Sequence, residues 1–138
     1  MSSYIVRHIP EDQGPVTSLY PEIRKVPFSY TNKKKEAELA AEGSNIYVVE
    51  REKQGRKNIY QFAYRYKCTE CFRKAGGKWL GKFDYKNTVE YEKNGELELL
   101  DPPLVITDPD FIKWYKTKNF GMCEIPAEYE AVLKAMLV

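Results

Sequence analysis

Asn58-Ile59-Tyr60-Gln61-Phe62-Ala63-Tyr64-Arg65-Tyr66-Lys67-Cys68 is the run on which the fold turns. It contains neither glycine nor proline, and aromatic rings recur at every second position, as a half-buried strand requires. Strand side chains alternate between faces, so Tyr60, Phe62, Tyr64 and Tyr66 are expected together, with Ile59, Gln61, Ala63, Arg65 and Lys67 opposite. Upstream, Asn45–Arg51 reads as a partner strand across Gln54-Gly55. Downstream, Gly77–Asp84, Thr88–Tyr91 and Glu96–Leu100 read as further strands, joined by turns at Ala75-Gly76-Gly77, Lys86-Asn87 and Asn94-Gly95. In the first of these, Trp79, Phe83 and Tyr85 align opposite Lys78, Leu80 and Lys82. Residues 45–100 therefore predict an antiparallel meander of four or five strands, its aromatic face against helices and its basic-ended face toward solvent.

Helical signals flank the meander. Asn32 as a cap, the run Lys33–Glu42 and a stop at Gly43 predict a short helix over 32–43. Its triplet Lys33–Lys35 reads as a solvated face or a nuclear-import signal. Asp101-Pro102-Pro103 marks the change from strands to helices. Asp108 caps a helix over 110–118 with Pro109 at its first position, and Phe111, Ile112, Trp114 and Tyr115 give it an apolar side. A last helix is expected from Pro126 to Leu137, with Tyr129, Val132, Leu133, Met136 and Leu137 inward. Residues 1–31, broken by Pro10, Gly14, Pro15, Pro21 and Pro27, read as an extended arm or a disordered tail with a short strand at Ser3–His8. The expectation is one α+β domain over 1–138.

Composition fits a folded chain. Of 138 residues 43% are hydrophobic, and 11 Tyr, 6 Phe and 2 Trp are far more aromatic material than a disordered chain carries. The N-terminus lacks a charged region followed by an apolar run, and no stretch nears the ~20 apolar residues of a membrane span. Three cysteines are too few for a disulfide scaffold, which suits a reducing compartment. The expected location is the cytoplasm or nucleus.

Charge supplies the main functional lead. Between Arg51 and Lys86 eleven basic residues face three acidic ones, a net of +8, while the rest of the chain carries eleven basic and seventeen acidic residues, a net of −6. Such asymmetry points to an anionic partner. Arg65, Lys67, Arg73, Lys74, Lys78 and Lys82 are candidate phosphate contacts, and Tyr64, Tyr66 and Trp79 candidate stacking rings if exposed. The expected function is a non-catalytic nucleic-acid-binding module, on DNA or RNA. The alternative is an adaptor or effector whose basic sheet meets an acidic protein.

Cys68-Thr69-Glu70-Cys71 is the second constellation. A CxxC turn can aim two thiolates at one zinc ion, and with Cys123 and His8 it makes the one four-ligand Cys/His set available to this chain. An inert buried pair and a redox pair stay open beside zinc. Enzyme chemistry finds little footing: there is one histidine, Gly76-Gly77 lacks a phosphate-loop pattern, and Glu90, Glu92, Glu96 and Glu98 read as a solvated strand face.

Through Tyr64, Tyr66, Cys68, Cys71 and Lys82, the region Asn45–Tyr91 resembles the FLYWCH and WRKY-type zinc-bound β-sheet DNA-binding domains, over about a third of the chain. The resemblance implies DNA contact through a sheet. Those families complete their metal site with a closely spaced histidine pair, and no histidine follows His8 here.

Overall fold

The computed structural model describes residues 2–73, 85–90, 96–117 and 121–138. The expected strand Gly77–Asp84, the turns at Ala75-Gly76-Gly77 and Asn94-Gly95, and the candidates Lys74, Lys78, Trp79 and Lys82 lie outside the described residues.

The long hairpin forms as its sequence predicts. β3 (Asn45–Gln54) and β4 (Lys57–Lys67) pair antiparallel from Asn45↔Lys67 to Gln54↔Lys57. Gly55 turns the chain at φ 64, where a side chain would be strained. The alternation along β4 is what differs. On one side Val48 pairs Tyr64 and Val49 pairs Phe62; on the other Phe62 pairs Leu104 and Tyr64 pairs Leu99. Both ladders skip Ala63. One extra residue reverses the face taken by every later side chain. Tyr60 and Phe62 therefore enter one core, and Tyr64 and Tyr66 the core on the opposite face. This corrects the expectation that the four share a face.

Nor is the sheet a pure antiparallel meander. β1 (Tyr4–His8) runs parallel to β3, from Tyr4↔Ile46 to His8↔Glu50, and antiparallel to β8 (Met122–Glu124). With β7 (Glu98–Val105) on the far side of β4, the mixed five-stranded order is β7-β4-β3-β1-β8. A second, antiparallel sheet has the order β2-β6-β5, from β2 (Phe28–Thr31), β6 (Tyr85–Thr88) and β5 (Glu70–Arg73). Parallel neighbours need a crossover, and the one between β1 and β3 consumes the supposed extended arm. It holds α1 (Pro10–Gln13), a 3-10 turn at Val16–Leu19, α2 (Tyr20–Ile23), β2 and α3 (Lys34–Ala40). α3 falls inside the predicted 32–43, although Lys33 rather than Asn32 takes the cap position.

Two smaller expectations also change. Lys86-Asn87 is not a turn but part of β6, where Asn87 is fully buried and donates to the Ala37 carbonyl. β7 continues through Pro102 and Pro103, which a terminal strand tolerates because no further strand needs its N–H groups.

The large sheet is covered on both faces. Val6, Ile46, Val48, Tyr64 and Tyr66 pack against Phe28, Tyr30, Tyr20, Ile23 and α3 in the first core. Ile5, Tyr47, Val49, Tyr60 and Phe62 meet α4 (Pro109–Lys116) and α5 (Ala127–Met136) through Phe111, Tyr115 and Leu133 in the second. Asp108 caps α4 as expected, accepting from Phe111 N at 2.9 Å. A solvent-facing basic sheet face is thus corrected to a sheet buried on two sides. Among the described residues, no helix is long and apolar enough to cross a membrane.

Deleting Ala63 removes the unpaired residue and makes Phe62 and Tyr64 sequence neighbours, which strict alternation places on opposite faces, as both ladders already do. The deletion should therefore keep a cooperative thermal transition by circular dichroism, and Ala63→Gly, which keeps the bulge but empties a buried position, should lower Tm. Loss of the cooperative transition on deletion would contradict the account of Ala63 as a skipped residue.

Candidate functional site

The register of β1 on β3 sets His8 beside Glu50, and both side chains point toward the first core, 4% and 6% exposed. His8 Nε2 lies 2.7 Å from the Gly14 carbonyl, an atom that only accepts. The ring therefore donates from Nε2, and in the neutral ring Nδ1 is an acceptor. Glu50 Oε2 accepts from Val16 N at 2.8 Å and lies 3.9 Å from His8 Nε2. Burial lowers the His8 pKa against the opposing effect of the Gly14 bond, so the ring is neutral near pH 7. Burial raises that of Glu50; the Val16 bond opposes this, and the nearby charges of Glu52 and Glu11 add to it.

A crevice opens beside this pair, walled by Phe28, Tyr30 and Tyr64 and lined further by His8, Gln13 and Leu19. Its free volume is about 10 Å³, room for one water. Phe28 and Tyr30 meet edge to face at 5.3 Å, and the Lys86 ammonium lies 4.9 Å from the Phe28 centroid. Tyr64 donates its hydroxyl hydrogen to the Phe28 carbonyl at 2.6 Å, and Ser29 and Tyr66 share a hydrogen bond of 2.6 Å. Gln13, 7% exposed as a residue, lines the same crevice. One water's room is far below the roughly 300–1,000 Å³ of a small-ligand pocket.

The sequence candidates are dispersed. Tyr64 and Tyr66 are core residues, 2% and 0% exposed, so the exposure that stacking required is not met. Arg65 is half-buried, donating to Asn45 Oδ1 at 2.8 Å and pairing with Glu98. Lys67 and Arg73 are exposed, as are Lys53, Arg56 and Lys57 at the hairpin tip. Arg51 pairs with Glu11 at 2.9 Å. Ten residues separate Lys57 from Lys67 along β4, roughly 33 Å. The described basic residues thus gather at two ends of one hairpin rather than on a face.

The four-ligand set Cys68, Cys71, Cys123 and His8 is not brought together. Cys68 and His8 lie on the first-core side of the large sheet, with Cys71 packed against that core, while Cys123 sits opposite Ile5 against the second. Among the described residues, no three His, Cys, Asp or Glu side chains gather as a metal site. None of the cysteines is in a disulfide. Burial pushes the Cys68 thiol up to about 11, although Asn87 and two carbonyls bond to it, so it stays protonated near neutrality.

Gln13, Phe28 and Tyr30 lie in the segment 1–31, whose prolines mask its regular elements, and Glu50 lies in β3, where a charged residue gives no sign of burial. Two signals were present: the alternation Phe28-Ser29-Tyr30-Thr31, and Pro10 followed by Glu11 and Asp12, a helix-start pattern. No protein-family model and no curated protein matches this sequence.

A carboxyl whose folded pKa is raised contributes stability below its unfolded value and loses it as pH rises through the folded value. Ionised Glu50 therefore weakens the fold at neutral pH. Glu50→Gln keeps an acceptor for Val16 N without a buried charge, and its Tm at pH 7 should equal or exceed that of the parent. Glu50→Ala leaves that N–H unpaired and should cost about 1–3 kcal/mol. Equal losses in both variants, measured by thermal melts, would contradict the burial account.

Proposed function

We propose that the chain is a non-catalytic nucleic-acid-binding module, acting in the cytoplasm or nucleus. The observation that carries this is the placement of charge: +8 over residues 51–86 against −6 elsewhere, with Lys53, Arg56, Lys57, Lys67 and Arg73 exposed at the two ends of the long hairpin and on β5. Cations spread over roughly 30 Å suit an extended polyanion better than a compact anion, and each neutralised phosphate releases counterions. Lys86, poised on the Phe28 ring, adds a positive charge on β6.

One observation favours an acidic protein partner instead. Phe72 is 53% exposed on the terminal strand β5, next to exposed Arg73, and an aromatic beside an arginine is a common interface anchor.

Fluorescence anisotropy with labelled single- and double-stranded DNA and RNA separates the two. Nucleic-acid affinity should fall linearly in log–log form with salt. Lys67→Glu/Arg73→Glu and Lys53→Glu/Arg56→Glu/Lys57→Glu should each weaken it by about tenfold or more and flatten the salt slope. Absence of binding to all four probes at low salt overturns the nucleic-acid reading. Binding that survives both variants with its slope unchanged overturns the surface.

A further inference from the structure

The long hairpin outruns the sheet it belongs to. β1 leaves β3 at His8↔Glu50, and β7 leaves β4 at Gln61↔Val105, with one further bond from Ile106 N to the Tyr60 carbonyl at 2.8 Å. Beyond that line, among the described residues, Glu52 pairs only with Ile59, Lys53 with Asn58 and Gln54 with Lys57. What projects is a two-stranded ribbon about 14 Å long. Its turn is tight: Gly55 and Arg56 alone separate Gln54 from Lys57, with φ 64 at Gly55 and no positive φ at Arg56. That is the II′ pattern, whose twist suits the flanking strands, and it sets Arg56 at the very tip.

The ribbon's surface is of one kind. Lys53, Gln54, Arg56, Lys57 and Asn58 are all exposed, and their side chains make no hydrogen bond or ion pair among the described residues. Directly opposed residues share a face, so Lys53 and Asn58 lie on one side and Gln54 and Lys57 on the other. Between positions 53 and 58 there are three basic residues and no acidic one. Two carboxylates at the base are engaged, Glu52 by Gln61 and Glu11 by Arg51. Cations alone would serve phosphates, but the two amides add donor–acceptor pairs of the sort that read base edges.

We infer that residues 52–59 enter the major groove of duplex DNA. That groove, about 12 Å wide, admits a two-stranded ribbon. Arg56 presents the fork that meets guanine O6 and N7, and Gln54 and Asn58 present amides that meet adenine N6 and N7, while Lys53 and Lys57 take flanking phosphates. Duplex RNA is excluded because its major groove is deep and narrow, and a single strand has no groove to offer. With the ribbon lying along the groove, Lys67, roughly 33 Å away along β4, falls about one helical turn further down the duplex. The inference rests on the nucleic-acid reading and narrows it to one substrate.

The full-length protein is first used to select duplexes of about two helical turns from a random-sequence DNA pool. Anisotropy at near-physiological salt then compares the selected duplex with its RNA duplex counterpart and with its separate strands. The DNA duplex should bind about tenfold tighter or more. Replacing its purines by 7-deazapurines deletes the N7 acceptors of the major groove and keeps every phosphate, and should weaken binding several-fold. Gln54→Ala/Asn58→Ala should weaken binding to ordinary DNA by a similar factor with the salt slope unchanged, because no charge is removed. That variant alters exposed positions only, and its thermal melt should match the parent's. Equal affinity for DNA and RNA duplexes, tighter binding of a single strand, indifference to the 7-deaza substitution, or a pool that binds yet enriches no sequence would overturn the groove and leave the nucleic-acid reading standing. Binding of no probe at any salt would overturn both.

Discussion

Ala63 occupies a position that neither neighbour of β4 can pair, and the two cores depend on it. Before it, the rings of Tyr60 and Phe62 face α4 and α5; after it, those of Tyr64 and Tyr66 face the small sheet and the crossover. A strand with unbroken alternation would crowd four large rings into one core and leave the other short of apolar surface. Alanine suits the place, since its small side chain is fully buried at the irregularity. The Tyr64 hydroxyl then bonds the Phe28 carbonyl and that of Tyr66 meets Ser29, so the same register fixes where β2 lies.

From there the crevice follows. β2 supplies two of its aromatic walls, β4 supplies Tyr64, and the parallel ladder of β1 on β3 brings His8 to Glu50. Burying an imidazole and a carboxylate is unfavourable in itself, and burial shifts both groups toward their neutral forms. Each holds one main-chain group of the crossover, Gly14 O and Val16 N, which gives the pair a structural duty.

Much of this was legible in the sequence where a signal was local. The hairpin at Gly55, the strand near Tyr4 and the capped helix after Asp108 follow from turn chemistry, alternation and capping. The side assignment within β4 did not, because a bulge leaves no mark when the extra residue is an alanine in an otherwise regular pattern. Nor did the parallel pairing of β1 with β3, which is a long-range contact between strands some forty residues apart. The candidate site suffered most: the basic residues were visible as charge, but their division between two hairpin ends depends on strand length, and the crevice draws on the very segment that its prolines made look unstructured. Cys68 and Cys123 looked like partners only while the sheet between them was unknown.

The measurement that bears most directly on the proposed surface is a titration of isotope-labelled protein with short single-stranded DNA and RNA, followed by NMR across the described residues. If the exposed cations hold phosphates, the signals of Lys53, Arg56, Lys57, Lys67 and Arg73 should move most, while those of the buried Tyr64 and Tyr66 stay in place. Binding that leaves those basic residues where they were would contradict the account.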